Sequence, residues 1–255
     1  MVVVVVVETI EMDLEIKNAN VRTRPEVRDR VLPSAAPQAA RPRQFPAGTD
    51  LFRQGFPAEE VLLLDEGVVK LIRLEDDGRQ LIVGLHSAGS ILGAAPVVAN
   101  RSHPATAKTV TPCTVRYIPA FAFRQLLKSD PATSWQLHEM LSREVCEQAA
   151  RLSELACCSS RQRLESALCA LVPSERAHAK EVKVQTPLKH REIAELIAVT
   201  PEQLSRLLKE MEEDGLLRRE KGWLILRDIR IWGRPAAARP TPSPRPIGSE
   251  EAPSR

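Results

Sequence analysis

No stretch of this 255-residue chain approaches the ~18–20 consecutive apolar residues of a membrane-spanning helix, so no membrane span is expected. The five cysteines (113, 146, 157, 158 and 169) form no Cys-x-x-Cys pair, and none precedes position 113. An odd cysteine count with no export signal ahead of it points to a reduced, cytoplasmic protein. A net charge of +3 is too small to argue by itself for nucleic acid or for a membrane surface. There is no metal-spaced His/Glu pair, no glycine-rich phosphate loop and no nucleophile with a convincing base, so the expectation is that the chain is not an enzyme. The opening "MVVVVVVETI" lacks a basic region and a small-residue cleavage site, which makes it a poor signal peptide. A strand, an aggregation-prone tail and an over-extended gene start all remain open for it.

The folded part is expected at about 44–233. Residues 1–43 mix charge and proline with little apolar periodicity and read as a disordered extension. Residues 233–255 hold six of the 20 prolines and read as a disordered tail. Between 44 and 130, short alternating runs are punctuated by Gly48, Gly55, Gly67, Gly78, Gly89 and Gly93, the mark of a small all-β barrel or roll. Within it, "VVKLIRLEDDGRQLIVGL" reads as a hairpin turning at Asp77-Gly78. Leu81, Val83 and Leu85 are expected on one face of its second strand.

The period changes over 131–158. Leu137, Leu141, Val145, Ala149, Leu152 and Ala156 recur at steps of four or three, one narrow stripe on a helix of about 25 residues. Such a helix either packs on its own domain or pairs with a second copy. A shorter helix follows with Leu164, Leu168 and Leu171 as its stripe.

Within 159–232 the segment "TPEQLSRLLKEME" places Leu204, Leu207, Leu208 and Met211 on one helix face and Glu202, Ser205, Arg206 and Lys209 on the other. Thr200 is the expected N-cap, Pro201 occupies N1 and Gln203 completes a capping box. A helix from Lys189 precedes it, with Ile193, Leu196 and Ile197 on its buried face; two short strands with a Lys221-Gly222 turn follow. Helix, turn, helix, hairpin is the order of a winged helix-turn-helix. The exposed face then suits a major groove: Arg206 can donate to guanine, Glu202 can accept from cytosine, and Ser205 can do either. His190, Arg191, Arg218, Arg219, Lys221 and Lys209 surround it, placed to meet phosphates. The plain alternative is a solvated amphipathic helix with a Glu202–Arg206 surface pair.

On these residues the chain resembles the Crp/Fnr family of bacterial transcription regulators over about 44–232. "FPAGTDLFRQGFPAEEVLLLDEGVVKLIRLEDDGRQLIVGLHSAGSILG" is similar to its cyclic-nucleotide-binding β-roll, and "LKHREIAELIAVTPEQLSRLLKEMEEDGLLRREKGWLILRD" to its winged helix. The resemblance implies an α+β fold: a sensor β-roll at 44–130, a dimerisation helix at 131–158 and a DNA-binding domain at 159–232. It further implies a cytoplasmic homodimer that binds double-stranded DNA under effector control and works with RNA polymerase. The Glu202-x-x-Ser205-Arg206 pattern resembles the Fnr-like branch, which implies a TTGAT half-site and an inverted repeat TTGAT-N4-ATCAA. One departure is Ala198, where the family usually has Gly in the turn between the two helices.

The same comparison bears on the effector. Where cyclic AMP binders of the family carry a Gly-Glu pair and an Arg-Ser or Arg-Thr pair, this chain is read as Gly93-Ala94 and His103-Pro104. The acid is missing, Pro104 has no N–H, and a histidine replaces arginine poorly at a phosphate. Cyclic AMP is therefore not the expected ligand, and "HPATA" resembles the Fnr-like branch. No iron–sulfur cluster is expected without cysteines in residues 1–112. Haem stays open through His86, His103 or His138, and Cys157-Cys158 stays open as an oxidant sensor. A competing reading makes the chain a sensor or interaction protein whose helix-turn-helix binds a protein partner.

Overall fold

The computed structural model describes residues 41–172, 176, 179–220 and 222–232. The expected extension before 41, the expected tail from 233 and Lys221 lie outside the described residues.

Two four-stranded antiparallel sheets form the β-roll. One is ordered β1 (Arg43–Phe45), β8 (Cys113–Pro119), β3 (Glu60–Glu66), β6 (Ile91–Leu92). The other is ordered β2 (Asp50–Phe52), β7 (Thr106–Thr109), β4 (Val68–Leu74), β5 (Gln80–Ser87). Strand β3 shows how the period of two is used. Leu62 and Leu64 point into the core between the sheets with Val69, Ala107 and Val115, while Val61 and Leu63 point outward. That outer face is covered by helices α1 (Ala94–Ala99), α2 (Ala120–Ser129) and the start of α3 (Pro131–Cys157), whose Val97, Phe123 and Leu137 close a second core. Both faces are buried, so β3 reads as a continuous apolar run rather than an alternation. Gly67, at φ 92°, has no room for a side chain: a Cβ there would meet the Pro112 carbonyl oxygen at 2.4 Å and Cys113 Sγ at 2.5 Å.

The β4–β5 hairpin turns at Gly78 as expected, its N–H donating to the Glu75 carbonyl. Its faces differ from the simple alternation. A bulge shifts the pairing from Leu71↔Gly84 to Ile72↔Ile82, leaving Val83 as the extra residue. The bulge brings Ile82 and Leu85, three apart, onto one face, so Leu85 is buried as expected but Ile82 takes the place of Leu81 and Val83.

Helix α3 starts on an Asp130 cap, which accepts from the Ala132 N–H and the Thr133 hydroxyl, with Pro131 at N1. Its 27 residues run past the roll to α4 (Ser160–Cys169), which has a full Ser159/Gln162 capping box. The winged helix comprises α5 (His190–Leu196), α6 (Pro201–Glu213) and a three-stranded sheet. That sheet is ordered β10 (Leu217–Glu220), β11 (Trp223–Arg227), β9 (Glu181–Val184). The hairpin was anticipated; β9, only "EVKV", was not, because four residues are too few for a period to register. Helix α6 closes on a Schellman motif, the Leu216 N–H donating to the Met211 carbonyl and Gly215 taking φ 72°.

Ala198, in the turn between α5 and α6, takes φ 53° and is exposed. This left-handed conformation strains a side chain by ~1–2 kcal/mol, part of which glycine returns through its looser unfolded state. We predict that Ala198→Gly stabilises the protein by about 0.5–1 kcal/mol, read as a higher thermal midpoint. An unchanged or lower midpoint would mean the turn is not strained.

Candidate nucleic-acid interface and β-roll cavity

Helix α6 is amphipathic in a way that leaves a clean exposed face. Leu204, Leu207, Leu208 and Met211 are buried in one core with Ala194 and Ile197 of the α5 segment and with Leu217 and Leu226 of the wing. Glu202, Ser205, Arg206 and Lys209 are exposed on the opposite side. The Thr200 hydroxyl caps the helix by accepting from the Gln203 N–H at 3.2 Å. The capping box is not completed: the Gln203 side chain reaches instead to Ser160 Oγ on α4, 3.3 Å away, and ties the two helices together.

On the exposed face the Glu202 carboxyl is held below the ordinary carboxylate range. Its own backbone N–H is the largest cause, followed by the Thr200 hydroxyl and the Arg206 charge one turn on. Ser205 Oγ donates to the Pro201 carbonyl at 3.0 Å and lies 3.4 Å from His190 Nε2 on α5, so His190 sits beside the exposed face of α6. The surrounding bases are mostly paired with acids of the same unit. Arg191 meets Glu195 at 3.0 Å, Lys209 meets Glu213 at 3.7 Å, and Arg218 meets Glu220 at 3.3 Å. Arg219 forms a fork on Glu212 at 2.6 and 3.0 Å.

The stripe on α3 is divided by the fold. Leu137 is buried in its own β-roll, and Leu141 is partly buried against the same core. Beyond the roll Val145 and Leu152 are each 68% exposed, with Ala149 and Ala156 exposed beside them.

All four residues expected around an effector, Gly93, Ala94, His103 and Pro104, line one cavity of about 100 Å3. His86, Met140, Leu141 and Glu144 complete it from β5 and α3. This is well below the ~300–1,000 Å3 of usual small-molecule sites. The His103 ring stacks on Phe52 with centroids 3.8 Å apart and its Nδ1 buried without a partner among the described residues. Desolvation lowers the His103 pKa and pushes His86 down to about 4. It raises Glu144, and Glu147 adds to that rise. The cavity therefore disfavours charge of either sign. Arg101 and Ser102, just before His103, line a separate surface groove with Arg124 and Phe121 instead. His138 lies away from the cavity on α3, its Nδ1 2.7 Å from the Ser134 carbonyl. No group of three or more His, Cys, Asp or Glu residues is arranged to hold a metal among the described residues.

The comparisons with known proteins fall on the two units just described. Residues 42–130 match the cyclic nucleotide-binding domain family, and residues 162–230 match the Crp-like helix-turn-helix domain family. The chain thus carries the pair of domains that these two families describe. The CRP-like protein Clp of Xanthomonas euvesicatoria is 26% identical over 74% of this chain and 84% of its own. Among solved structures, the global regulator CLP of Xanthomonas campestris, described as c-di-GMP responsive, is 25% identical. It aligns with a TM-score of 0.65 over 74% of this chain and 94% of its own. FixK2 of Bradyrhizobium japonicum, 21% identical with a TM-score of 0.66 over 77% and 98%, shares the fold. A DNA-binding regulator with a winged helix-turn-helix thus stands on sequence and fold together. No helix of the described residues is long and apolar enough to cross a membrane.

The depressed His86 pKa has a consequence for stability. In the unfolded chain the imidazole protonates near its ordinary 6.5, and in the folded protein only near 4. The neutral form is thus favoured in the folded protein, and stability falls as pH drops from 6.5 towards 4, by up to about 3 kcal/mol. Denaturant midpoints at pH 7 and pH 4.5 should therefore differ less in His86→Leu than in the unaltered protein. Equal pH dependence in the two proteins would contradict the burial argument.

Proposed function

We propose that the protein acts as a cytoplasmic homodimer that sets its two α6 helices into successive major grooves of an inverted repeat resembling TTGAT-N4-ATCAA. In this reading it is a sequence-specific regulator of the Fnr-like type that works with RNA polymerase. The observation that carries it is the division of α6 into a fully buried apolar face and an exposed Glu202/Ser205/Arg206/Lys209 face. Arg206 reads guanine, Glu202 accepts from a cytosine while bracing Arg206, and Ser205 contacts a neighbouring step. Thr200 and Gln203 hold the helix start, and Lys209, His190, Arg191, Arg218 and Lys221 meet phosphates.

The signal is an effector or a redox change other than cyclic AMP. Ala94 and Pro104 in the cavity wall support this, since the wall offers no guanidinium to a cyclic phosphate and desolvation there disfavours charge. For a redox input the candidates are Cys157, exposed at the end of α3, and the adjacent Cys158. If the helix-turn-helix instead bound a protein partner, the purified protein would retain no genomic fragment.

Binding-site selection tests the reading of α6. Arg206→Ala should lose about 1–3 kcal/mol per half-site and flatten preference at the G·C pair. Lys209→Ala should weaken all sequences alike and lower the salt slope by about 1. An Arg206→Ala protein that selects the same G·C pair as strongly as the unaltered protein would sink the assignment.

The dimer is tested at the exposed half of the stripe. Val145→Glu with Leu152→Glu should give monomers in sedimentation while leaving the β-roll cores intact, because neither side chain contributes to them. An unaltered protein already monomeric at micromolar concentration would rule the dimer out.

A further inference from the structure

Lysine is among the residues least often buried, yet Lys70 in the middle of β4 is 5% exposed. Its Nζ lies 2.5 Å from Glu192 Oε1 on α5, across the contact between the β-roll and the winged helix. Glu192 is fixed in turn, because its other oxygen accepts the Lys189 N–H at 2.7 Å. Burial alone would raise the Glu192 carboxyl; the Lys70 and Lys189 contacts together bring it below its ordinary value, which favours the carboxylate.

The other end of α5 is held as well. Arg151 on α3 donates through Nη2 to the Ile82 carbonyl on β5 at 2.5 Å and to the Leu196 carbonyl at 2.8 Å. One guanidinium thus joins the long helix, the β-roll and the C-terminal end of α5, where a cation also complements the helix dipole. The bulge at Val83 belongs to the same arrangement, since its carbonyl accepts from Gln148 Nε2 at 3.4 Å. Between these polar clamps, Ile72, Ile82 and Leu85 bury their side chains in the core of the winged helix.

This contact leaves the recognition face open, since Glu202, Ser205, Arg206 and Lys209 stay exposed. The clamps therefore do not block α6. They set where it sits relative to α3, the helix that carries the exposed stripe.

We propose that Lys70 and Arg151 are positioning residues for DNA recognition: by clamping the two ends of α5 to the β-roll and α3, they fix the separation of the two recognition helices and hence the half-site spacing the dimer accepts. This rests on the dimeric, inverted-repeat reading given above. Neither residue touches DNA; each acts through α5. Loss of a clamp should loosen the spacing without altering how one helix reads one half-site.

The experiment uses the full-length protein and a set of inverted repeats whose central spacer differs by one base pair in each direction, with an isolated half-site alongside. The unaltered protein should prefer one spacer. In Lys70→Met and Glu192→Gln, the ratio of affinity for that spacer over its neighbours should fall about five- to tenfold. Affinity for the isolated half-site should stay within about twofold, because α6 and its bases are untouched. Lys70→Glu should flatten the spacing further, and adding Glu192→Lys to it should restore the preference. Lys70→Met keeps the apolar stem and is the variant to rely on if Lys70→Glu does not melt cooperatively. Folded Lys70→Met and Glu192→Gln proteins that keep the original spacing ratio would overturn the proposal, as would a charge-swapped protein no better than Lys70→Glu. If the unaltered protein binds no inverted repeat, the DNA-binding reading falls, and this inference falls with it. A spacing preference that survives the variants of a DNA-binding protein counts against the clamps alone.

Discussion

The β4–β5 ribbon is buried on both of its faces, and the relation between the two halves of the molecule depends on that constraint. A strand can serve two cores only because successive side chains point opposite ways. Val69 joins the core between the two sheets, with Leu71 packed against it, while Ile72, Ile82 and Leu85 join the core of the winged helix. A ribbon committed in this way cannot slip by one residue without turning an apolar set into the wrong surroundings. The bulge at Val83 reconciles the pairing with the need to place both Ile82 and Leu85 on the DNA-binding side.

The polar groups follow from that burial. A lysine held between two folded units is tolerable only with a partner and a geometry that satisfies both charges. Glu192 supplies the partner and doubles as part of the α5 N-terminal cap. The exposed pairs of the winged helix obey different rules. Arg218–Glu220 and Lys209–Glu213 lie in high dielectric and each contributes ~0–1 kcal/mol, so phosphates can displace them at little cost. In the proposed reading, a chain with a net charge of only +3 meets DNA through local basic residues whose acid partners are exchangeable.

The cavity in the roll is shaped by the opposite need, to exclude charge. Gly93 at φ 77° brings the backbone close to His103, and a Cβ there would lie 3.2 Å from the ring. With the imidazole stacked on Phe52 and the Glu144 carboxyl pushed up, the site has little of the chemistry that holds an anionic phosphate. The cavity is also bounded by Leu71 and His86 of the same ribbon that carries Lys70 and Ile82, so the cavity wall and the docking surface are two sides of one element.

Local rules were enough to reveal the winged helix, the long α3 and the roll. Caps, a 3.6-residue apolar stripe, Pro at N1 and Gly after the last turn are all written within a few residues of where they act. The same is true of the α6 face, because a helix of known phase dictates which side chains share it. The turn strain was legible only as a condition, since the identity of Ala198 could be read but not its φ of 53°. What the sequence left open depends on residues far apart in the chain. The pairing of Lys70 with Glu192, the burial of Leu137 and Leu141 against the roll, the bulge at Val83 and the gathering of His86, His103 and Glu144 around one cavity are contacts across tens of residues. No local period encodes such contacts; they are selected only when two cores compete for the same ribbon and each buried polar group must find its partner in the folded chain.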